Sequence, residues 1–469
     1  MGDLDADGYP ELVVADPGAD RVYLLWGADL VFDDDFELGL SNPGEAGVVL
    51  SGPGFRGVGA AVASAGDVDG DGVPDLLISS FVGDNYVVWG SALLAQTDQL
   101  IELDSLGSDG VRFRPLNGNR GLSIAIAAMG DLDGDGFDDI VFGSGSDPAT
   151  GNAEDIRKGI SYLIWGSAIA NDADGVIDLA VLGDSGIQIV GANARDQSGN
   201  GLAVIEDIDG DGLMELAIGS QQSVDPIFNP AGTTYLVWGA TLRDHPSNLL
   251  NLGELADGGI RIFGGSVGGF DSSQPAAAGD VDNDGRGELL ITQGNDNQVV
   301  LLWGAGLVGA GSNVNLEALT PALGLQVTIE SPVTFLPSNA ASGGDIDGDG
   351  YDEILIGNPN ERSAVDNSTV GETWVVWGSA IKDRTVAVIN TETLPSSVGV
   401  NLVGTQRSGA AGGAVAPIGD LDGDGLADIA ITATGVFRST NVRAFHLLNG
   451  AFISSERAGD GTILLPSIE

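Results

Sequence analysis

Gly66-Asp67-Val68-Asp69-Gly70-Asp71-Gly72-Val73-Pro74-Asp75 packs four carboxylates into nine residues and runs directly into the apolar stretch Leu76-Leu77-Ile78. Glycines stand where the backbone has to turn sharply. The same arrangement recurs along the chain. With the first aspartate as position 1, positions 1, 3 and 5 are Asp3, Asp5, Asp7; Asp67, Asp69, Asp71; Asp131, Asp133, Asp135; Asp207, Asp209, Asp211; Asp280, Asp282, Asp284; Asp345, Asp347, Asp349; and Asp420, Asp422, Asp424. Position 6 is always glycine, and position 9 is always a carboxylate: Glu11, Asp75, Asp139, Glu215, Glu288, Glu353 and Asp428.

Carboxylates at this density repel one another strongly unless a cation lies among them. Hard oxygen ligands on alternate residues around a glycine turn suit Ca²⁺, which takes roughly 6–8 oxygens at about 2.3–2.6 Å. Position 7 is Tyr9, Val73, Phe137, Leu213, Arg286, Tyr351 or Leu426, a variability that suits a ligand supplied by the backbone carbonyl. An EF-hand shares the Asp-x-Asp-x-Asp-Gly opening but needs a bidentate Glu at position 12 and flanking helices. Position 12 here is Val14, Ile78, Phe142, Ile218, Ile291, Ile356 or Ile431, so the EF-hand reading fails in every copy. Turn-forming Asp and Gly without a metal would leave position 9 scattered. The expectation is up to seven Ca²⁺ ions, one per copy.

The first aspartates are separated by 64, 64, 76, 73, 65 and 75 residues, a period that marks a repeat array. Each unit reads as a Gly/Ala/Val-rich segment, the acidic loop, a short apolar run such as Leu216-Ala217-Ile218, and a second run ending in Trp-Gly, such as Tyr162-Leu163-Ile164-Trp165. A further run resembling Gly47-Val48-Val49-Leu50 closes the unit, with Gly461-Thr462-Ile463-Leu464 taken as its counterpart in the seventh. Short β-branched or aromatic runs bounded by Gly, Asp, Asn and Pro are strands. Four strands in each of seven units predict an all-β, seven-bladed β-propeller in a single domain over 1–469. The blades are expected at 1–53, 54–115, 116–191, 192–265, 266–332, 333–404 and 405–469. Blade 1 lacks its first strand, which residues upstream of Met1 are expected to supply.

Composition removes several function classes. The formal charge of −50 repels nucleic acid and anionic membranes and favours cations. Cysteine is absent, which excludes disulfides and thiolate chemistry, and His245 and His446 are too few for a histidine-rich metal site. No apolar run approaches the ~20 residues that span a bilayer. No Ser/His/Asp arrangement can be argued, so no catalytic residue is assigned.

The pattern Gly-Asp-x-Asp-Gly-Asp-Gly-x-x-(Asp/Glu) followed by Leu-x-Ile-Gly resembles the FG-GAP repeats of the integrin α-subunit N-terminal propeller and its bacterial relatives. The resemblance covers essentially the whole chain. It implies that each loop joins the first two strands of a blade and binds calcium through the positions above. The Phe-Gly opening survives only in variants such as Gly57-Val58-Gly59, which points away from integrin-like pairing with a second subunit.

Strand alternation places the loops between second and third strands on the face opposite the acidic loops. Those connections are extended at Ser144–Gly159, Ser220–Gly232 and Asn358–Glu372, and one-sided insertions in a repeat array mark a binding face. Arg56, Arg120, Arg195 and Arg407 fall on the same face, either as clamps for a carboxylate-bearing partner or as partners of local residues such as Asp84 and Asp196. The tryptophans of the Trp-Gly pairs read as inter-blade core rather than sugar-stacking platforms. These features together predict a non-catalytic, calcium-stabilised module of adhesion or recognition at the cell surface or outside it, with a protein or glycan partner and a signal peptide upstream. A lectin-like carbohydrate binder and a polysaccharide lyase are the alternatives.

Overall fold

The computed structural model describes residues 1–30, 46–96, 100–114, 125–145, 158–220, 232–264, 273–293, 297–329, 339–363, 368–405, 409–437, 440–459 and 461–465. The chain is mostly β-strand, in seven small sheets, and is a seven-bladed β-propeller by class. In the second blade Val58–Gly66 pairs with Asp75–Ser80, that strand with Asn85–Val88, and that in turn with Gly110–Arg114, all antiparallel. The second strands of blades two to six are buried from end to end, as at Asp75–Ser80, Asp139–Ser144 and Glu353–Asn358, because sheets cover both of their faces. The outer strand Gly110–Arg114 buries Val111 and Phe113 and exposes Arg114. Among the described residues the first sheet begins at Leu12–Asp16, without a preceding inner strand.

Between first and second strands the register slips where each acidic loop starts, at Ser64/Gly66, Ala277/Gly279, Ser342/Gly344 and Pro417/Gly419. The slip is a β-bulge, and the residue before position 1 has positive φ: 77° at Gly66, 77° at Gly279, 68° at Gly344 and 75° at Gly419. This accounts for the glycine that precedes six of the seven loops, Glu206 standing before the fourth. The bulge turns the first aspartate out of the strand and into the loop.

A short added strand, absent from the sequence reading, completes six of the sheets, as the fifth strand in five of them and the fourth in the first. Leu100–Glu102 lies parallel to Gly47–Ser51 of the preceding blade, and Val176–Asp178 lies parallel to Gly110–Arg114. Leu249–Asn251 joins Gly186–Val190 in the same way, and Val388–Asn390 joins Gly324–Thr328. These straps hold on by one buried residue each, among them Ile101, Ile177, Leu250 and Ile389. Just ahead of the straps at Val176, Leu249 and Val388 a backbone carbonyl also accepts a hydrogen bond, such as Arg112 N–H to the Gly175 carbonyl at 3.0 Å.

The last strap corrects an expectation. The repeat pattern predicts Gly461–Leu464 as the outer strand of the seventh blade, but Thr462–Leu465 pairs in parallel with Gly399–Gly404 of the sixth. The physical reason is reach. From Trp89 to Gly110 and from Trp303 to Gly324 is 21 residues, whereas Gly461 lies only 12 beyond Asn449, which with Gly450 replaces the Trp-Gly pair in the seventh repeat, and so at the distance of a strap. The seventh sheet therefore has three described strands, Val415–Gly419, Asp428–Phe437 and Thr440–Leu448.

The chain divides into two compact units, one of Met1–Val204 with Leu213–Ile260 and the other of Ile205–Gly212 with Arg261–Glu469. In the first, Leu77 and Val87 pack with Ile140, Phe142 and Tyr162, so that successive sheets share a core. The rings of Phe113 and Phe142 sit 4.9 Å apart within it. In the second, Leu301 and Trp303 pack with Ile354, Ile356 and Trp374, and Val375 and Trp377 pack with Ile429 and Ile431.

Candidate metal centres

Each acidic loop is a tight coil held by its own carboxylates. In the third, Asp131 Oδ1 and Oδ2 accept the Asp135 and Gly136 N–H groups, both at 2.9 Å. Asp133 Oδ1 also accepts from Asp135, at 3.2 Å, and Asp135 Oδ1 accepts from Phe137 at 3.2 Å. The sixth and seventh loops repeat this, with Asp345 Oδ1 and Asp420 Oδ1 accepting from Asp349 and Asp424 at 3.0 Å. In these three loops the backbone thereby fixes one oxygen of each carboxylate at positions 3 and 5 and leaves the other oxygen without a loop N–H. Carboxylate oxygens approach within 4.8 Å of one another in Asp3, Asp5, Asp7 and Glu11; in Asp67, Asp69 and Asp71; in Asp131, Asp133 and Asp135; in Asp207, Asp209 and Asp211; and in Asp280, Asp282 and Glu288.

The position 9 carboxylate is the buried anchor. Asp139 accepts Leu132 N–H at 3.0 Å and Gly166 N–H at 2.8 Å. Asp75 does the same with Val68 and Gly90, and Asp428 with Leu421 and Gly450. Glu288 and Glu353 bind Gly304 and Gly378, each at 3.3 Å. The donor is the glycine of the Trp-Gly pair, a role the sequence reading missed although the pair recurs at a fixed phase. A Cβ on Gly90 would stand 2.3 Å from the Pro74 carbonyl, so the strand end closes onto the loop only without a side chain.

Neighbouring loops are also joined. Asp138 N–H reaches the Asp67 carbonyl at 3.0 Å while Asp138 Oδ2 accepts Asp67 N–H at 2.8 Å. Asp352 and Asp280 form the equivalent side-chain bond at 3.0 Å. Position 7, read as indifferent to side chain, is used for packing. The Phe137 ring covers Gly70, Leu426 covers Gly348, and the Arg286 guanidinium lies over Gly210.

The electrostatics of the loops favour a cation. Burial pushes Asp75 and Asp139 up to about 7 despite their backbone hydrogen bonds, with neighbouring loop carboxylates adding to the rise. Burial, then Asp282, raises Glu288 to about 9, and burial, then Asp347, raises Glu353 to about 9. Asp5, Asp69, Asp133 and Asp209 are raised first by burial and next by the position 5 aspartate beside each. Three oxygens, Glu11 Oε1, Asp67 Oδ1 and Asp282 Oδ1, are buried with no hydrogen-bond partner. A hard cation would satisfy such oxygens and lower the repulsion together, so this donor set fits Ca²⁺.

Loops 5, 6 and 7 hold a side chain that the sequence reading did not foresee. Arg384 pairs with Asp282 and Asp284, and Arg457 with Asp347 and Asp349. Asn449 donates to Asp422 and Asp424.

On the opposite face only part of the expected surface is described. Arg120 and Arg407 lie outside the described residues, as do 146–157, 221–231 and 364–367 of the three long connections. Arg56 and Arg195 are exposed. Arg56 lies beside Gly83 and contributes, after Arg112 and Arg114, to lowering Asp84, whose pKa burial nonetheless holds above the usual range. Asp84 itself pairs with Arg112 at 3.3 Å. Buried Asp20 accepts the backbone N–H of Arg56 and Val58 at 2.9 and 3.0 Å, which fixes the approach of this loop to the sheet. Trp303 and Trp377 are fully buried, while Trp26, Trp89, Trp165 and Trp238 are half-buried.

Comparison with known proteins agrees with the repeat pattern. An FG-GAP-like repeat model matches residues 3–78 and an FG-GAP repeat model matches residues 337–376. Integrin alpha-3 of Cricetulus griseus is 29% identical over 153 residues, covering 31% of this chain and 14% of that protein. Integrin alpha pat-2 of Caenorhabditis elegans is 27% identical over 235 residues, covering 47% of this chain and 17% of that protein. The chain thus corresponds to a small part of the length of these relatives. Among solved structures, BBS1N in complex with ARL6DN, soaked with lead, has a TM-score of 0.44 at 11% identity, covering 94% of this chain and 89% of that one.

Proposed function

This chain is an FG-GAP repeat protein resembling the integrin α β-propeller, and on that premise we propose that it is a non-catalytic, calcium-loaded adhesion or recognition module working outside the cell. Its ligands are the side chains at positions 1, 3, 5 and 9 of all seven loops and the backbone carbonyl at position 7. The observation that carries this reading is the set of buried, partnerless oxygens on Glu11, Asp67 and Asp282 inside carboxylate clusters that recur at the same register. Calcium would supply charge compensation and cross-linking, which makes its role structural. Sites of modest affinity, ~10⁻⁴–10⁻³ M, fill in extracellular fluid and stay empty in cytosol.

The face opposite the loops is the recognition surface, with Arg56 and Arg195 exposed on it and Arg120 and Arg407 as further candidates. A carboxylate-rich protein partner suits guanidinium groups in so acidic a chain. The test is binding of the purified protein, in millimolar calcium, to arrays of extracellular matrix proteins and of glycans. Protein binding that weakens in Arg56→Ala and Arg195→Ala supports the reading. Binding confined to glycans replaces it with a lectin.

A further inference from the structure

Arg384 and Arg457 occupy equivalent places. Each follows the short helix after a strand end, Gly378–Ile381 and Gly450–Ser455, and reaches back to the acidic loop of the preceding blade. Arg384 takes Asp282 Oδ2 and, at 2.5 Å, Asp284 Oδ2; Arg457 takes Asp347 Oδ2 and, at 3.0 Å, Asp349 Oδ2. These are the oxygens that the loop backbone leaves free, since Asp284 Oδ1, Asp347 Oδ1 and Asp349 Oδ1 already accept N–H groups. Each guanidinium also lies 5.4 Å above a tryptophan ring, Trp303 or Trp377. Those are the two fully buried tryptophans of the Trp-Gly pairs. Arg457 is held further by Ser379 Oγ at 2.6 Å. Beneath the arginines, the Asp282 and Asp347 side chains are only 3% and 4% exposed.

The other repeats place different groups there. Seven residues beyond Trp89, Trp165, Trp238 and Trp303 stand Gln96, Asp172, His245 and Ala310, none with a permanent positive charge. A planar guanidinium that forks between two carboxylates and stacks on an aromatic ring is a preorganised cation, weakly hydrated and always charged. It offsets the repulsion that a divalent ion would otherwise relieve, and it uses two of the oxygens that such an ion needs. Calcium entering loop 5 or 6 must displace the guanidinium or share its ligands.

We propose that Arg384 and Arg457 are built-in counter-cations that set the calcium affinity of loops 5 and 6 below that of the remaining loops and hold these two loops closed when calcium is scarce. The proposal rests on the calcium reading of the same loops. The protein then has two classes of site, one filled at low calcium and one filled only as the arginines release.

The test compares calcium uptake, by equilibrium dialysis of the full chain, with melting in chelator. In the wild type the two loops should fill at a calcium concentration at least tenfold higher than the others. Arg384→Gln with Arg457→Gln should remove that late phase by moving it tenfold or more to lower calcium, and should lower the melting temperature in chelator but not in saturating calcium. Gln96→Arg, a surface change at the matching position over loop 1, should produce a new late-filling site, and it tests the idea even if the double variant does not fold. Calcium uptake that is identical in wild type and variants overturns the competition and leaves the calcium reading standing. A wild type that takes up no calcium overturns both.

Discussion

At the scale of the residue, position 9 and position 5 are both carboxylates and do different work. Asp139 has both oxygens on backbone N–H groups inside the protein, whereas Asp135 lies at the exposed rim. Asp139→Ala strands two buried donors, and a stranded buried group costs about 1–3 kcal/mol. We therefore expect Asp139→Ala to lower stability in chelator as well as in calcium. Asp135→Asn should lose only the calcium-dependent part. Chemical denaturation of both variants in both buffers checks this, and equal losses in chelator would contradict it.

The same burial gives the metal-free protein an inverted pH response. Asp75, Asp139, Glu288 and Glu353 have folded pKa values of about 7, 7, 9 and 9, all above the ordinary carboxylate range. Between roughly pH 4 and 7 the folded state therefore binds more protons than the unfolded chain, and stability falls as pH rises. In chelator the melting temperature should drop from pH 5 to pH 8. If calcium occupies the deprotonated loops as proposed, its addition should reverse that slope. The carboxylate clusters were legible because Asp and Gly recur at fixed spacing. The arginines that meet them were not, since Arg384 and Asp282 are 102 residues apart and no local pattern joins them.

At the scale of the element, the apolar runs were readable as strands because each is buried on both faces and needs no polar alternation. The straps were not. Leu100–Glu102 and its counterparts are three residues long with a single buried side chain, too short to show a period. That is why Gly461–Leu464 was misassigned, although its distance from Asn449 carried the signal. The correction makes a distinct prediction. Asn401 N–H donates to the Gly461 carbonyl at 2.9 Å, so the C-terminal strap protects the sixth blade. Truncation after Gly459 should speed hydrogen exchange at Asn401 and its neighbours in Gly399–Gly404. Faster exchange confined to Thr440–Leu448 would restore the original assignment.

At the scale of the whole molecule, the charge of −50 has a local origin. Four loop carboxylates in each of seven repeats account for a large share of the 68 acidic residues. Much of the acidity that sets this protein apart is therefore the carboxylate of the repeated loops, and says little about what the protein recognises. Ions that bind only the folded state stabilise it by linkage, by about 2.7 kcal/mol for each site held at a hundred times its dissociation constant. Repetition made the propeller legible from sequence, because a feature present seven times declares itself as architecture. A partner-binding surface was not legible to the same degree, because the long connections between second and third strands differ from one repeat to the next.

The most direct test of the account is thermal unfolding of the full chain across a calcium titration starting from chelator, at neutral pH and constant ionic strength. The account predicts a melting temperature that climbs steeply with calcium and does not climb with an equal ionic strength of sodium. A melting temperature that stays the same from chelator to millimolar calcium would contradict it.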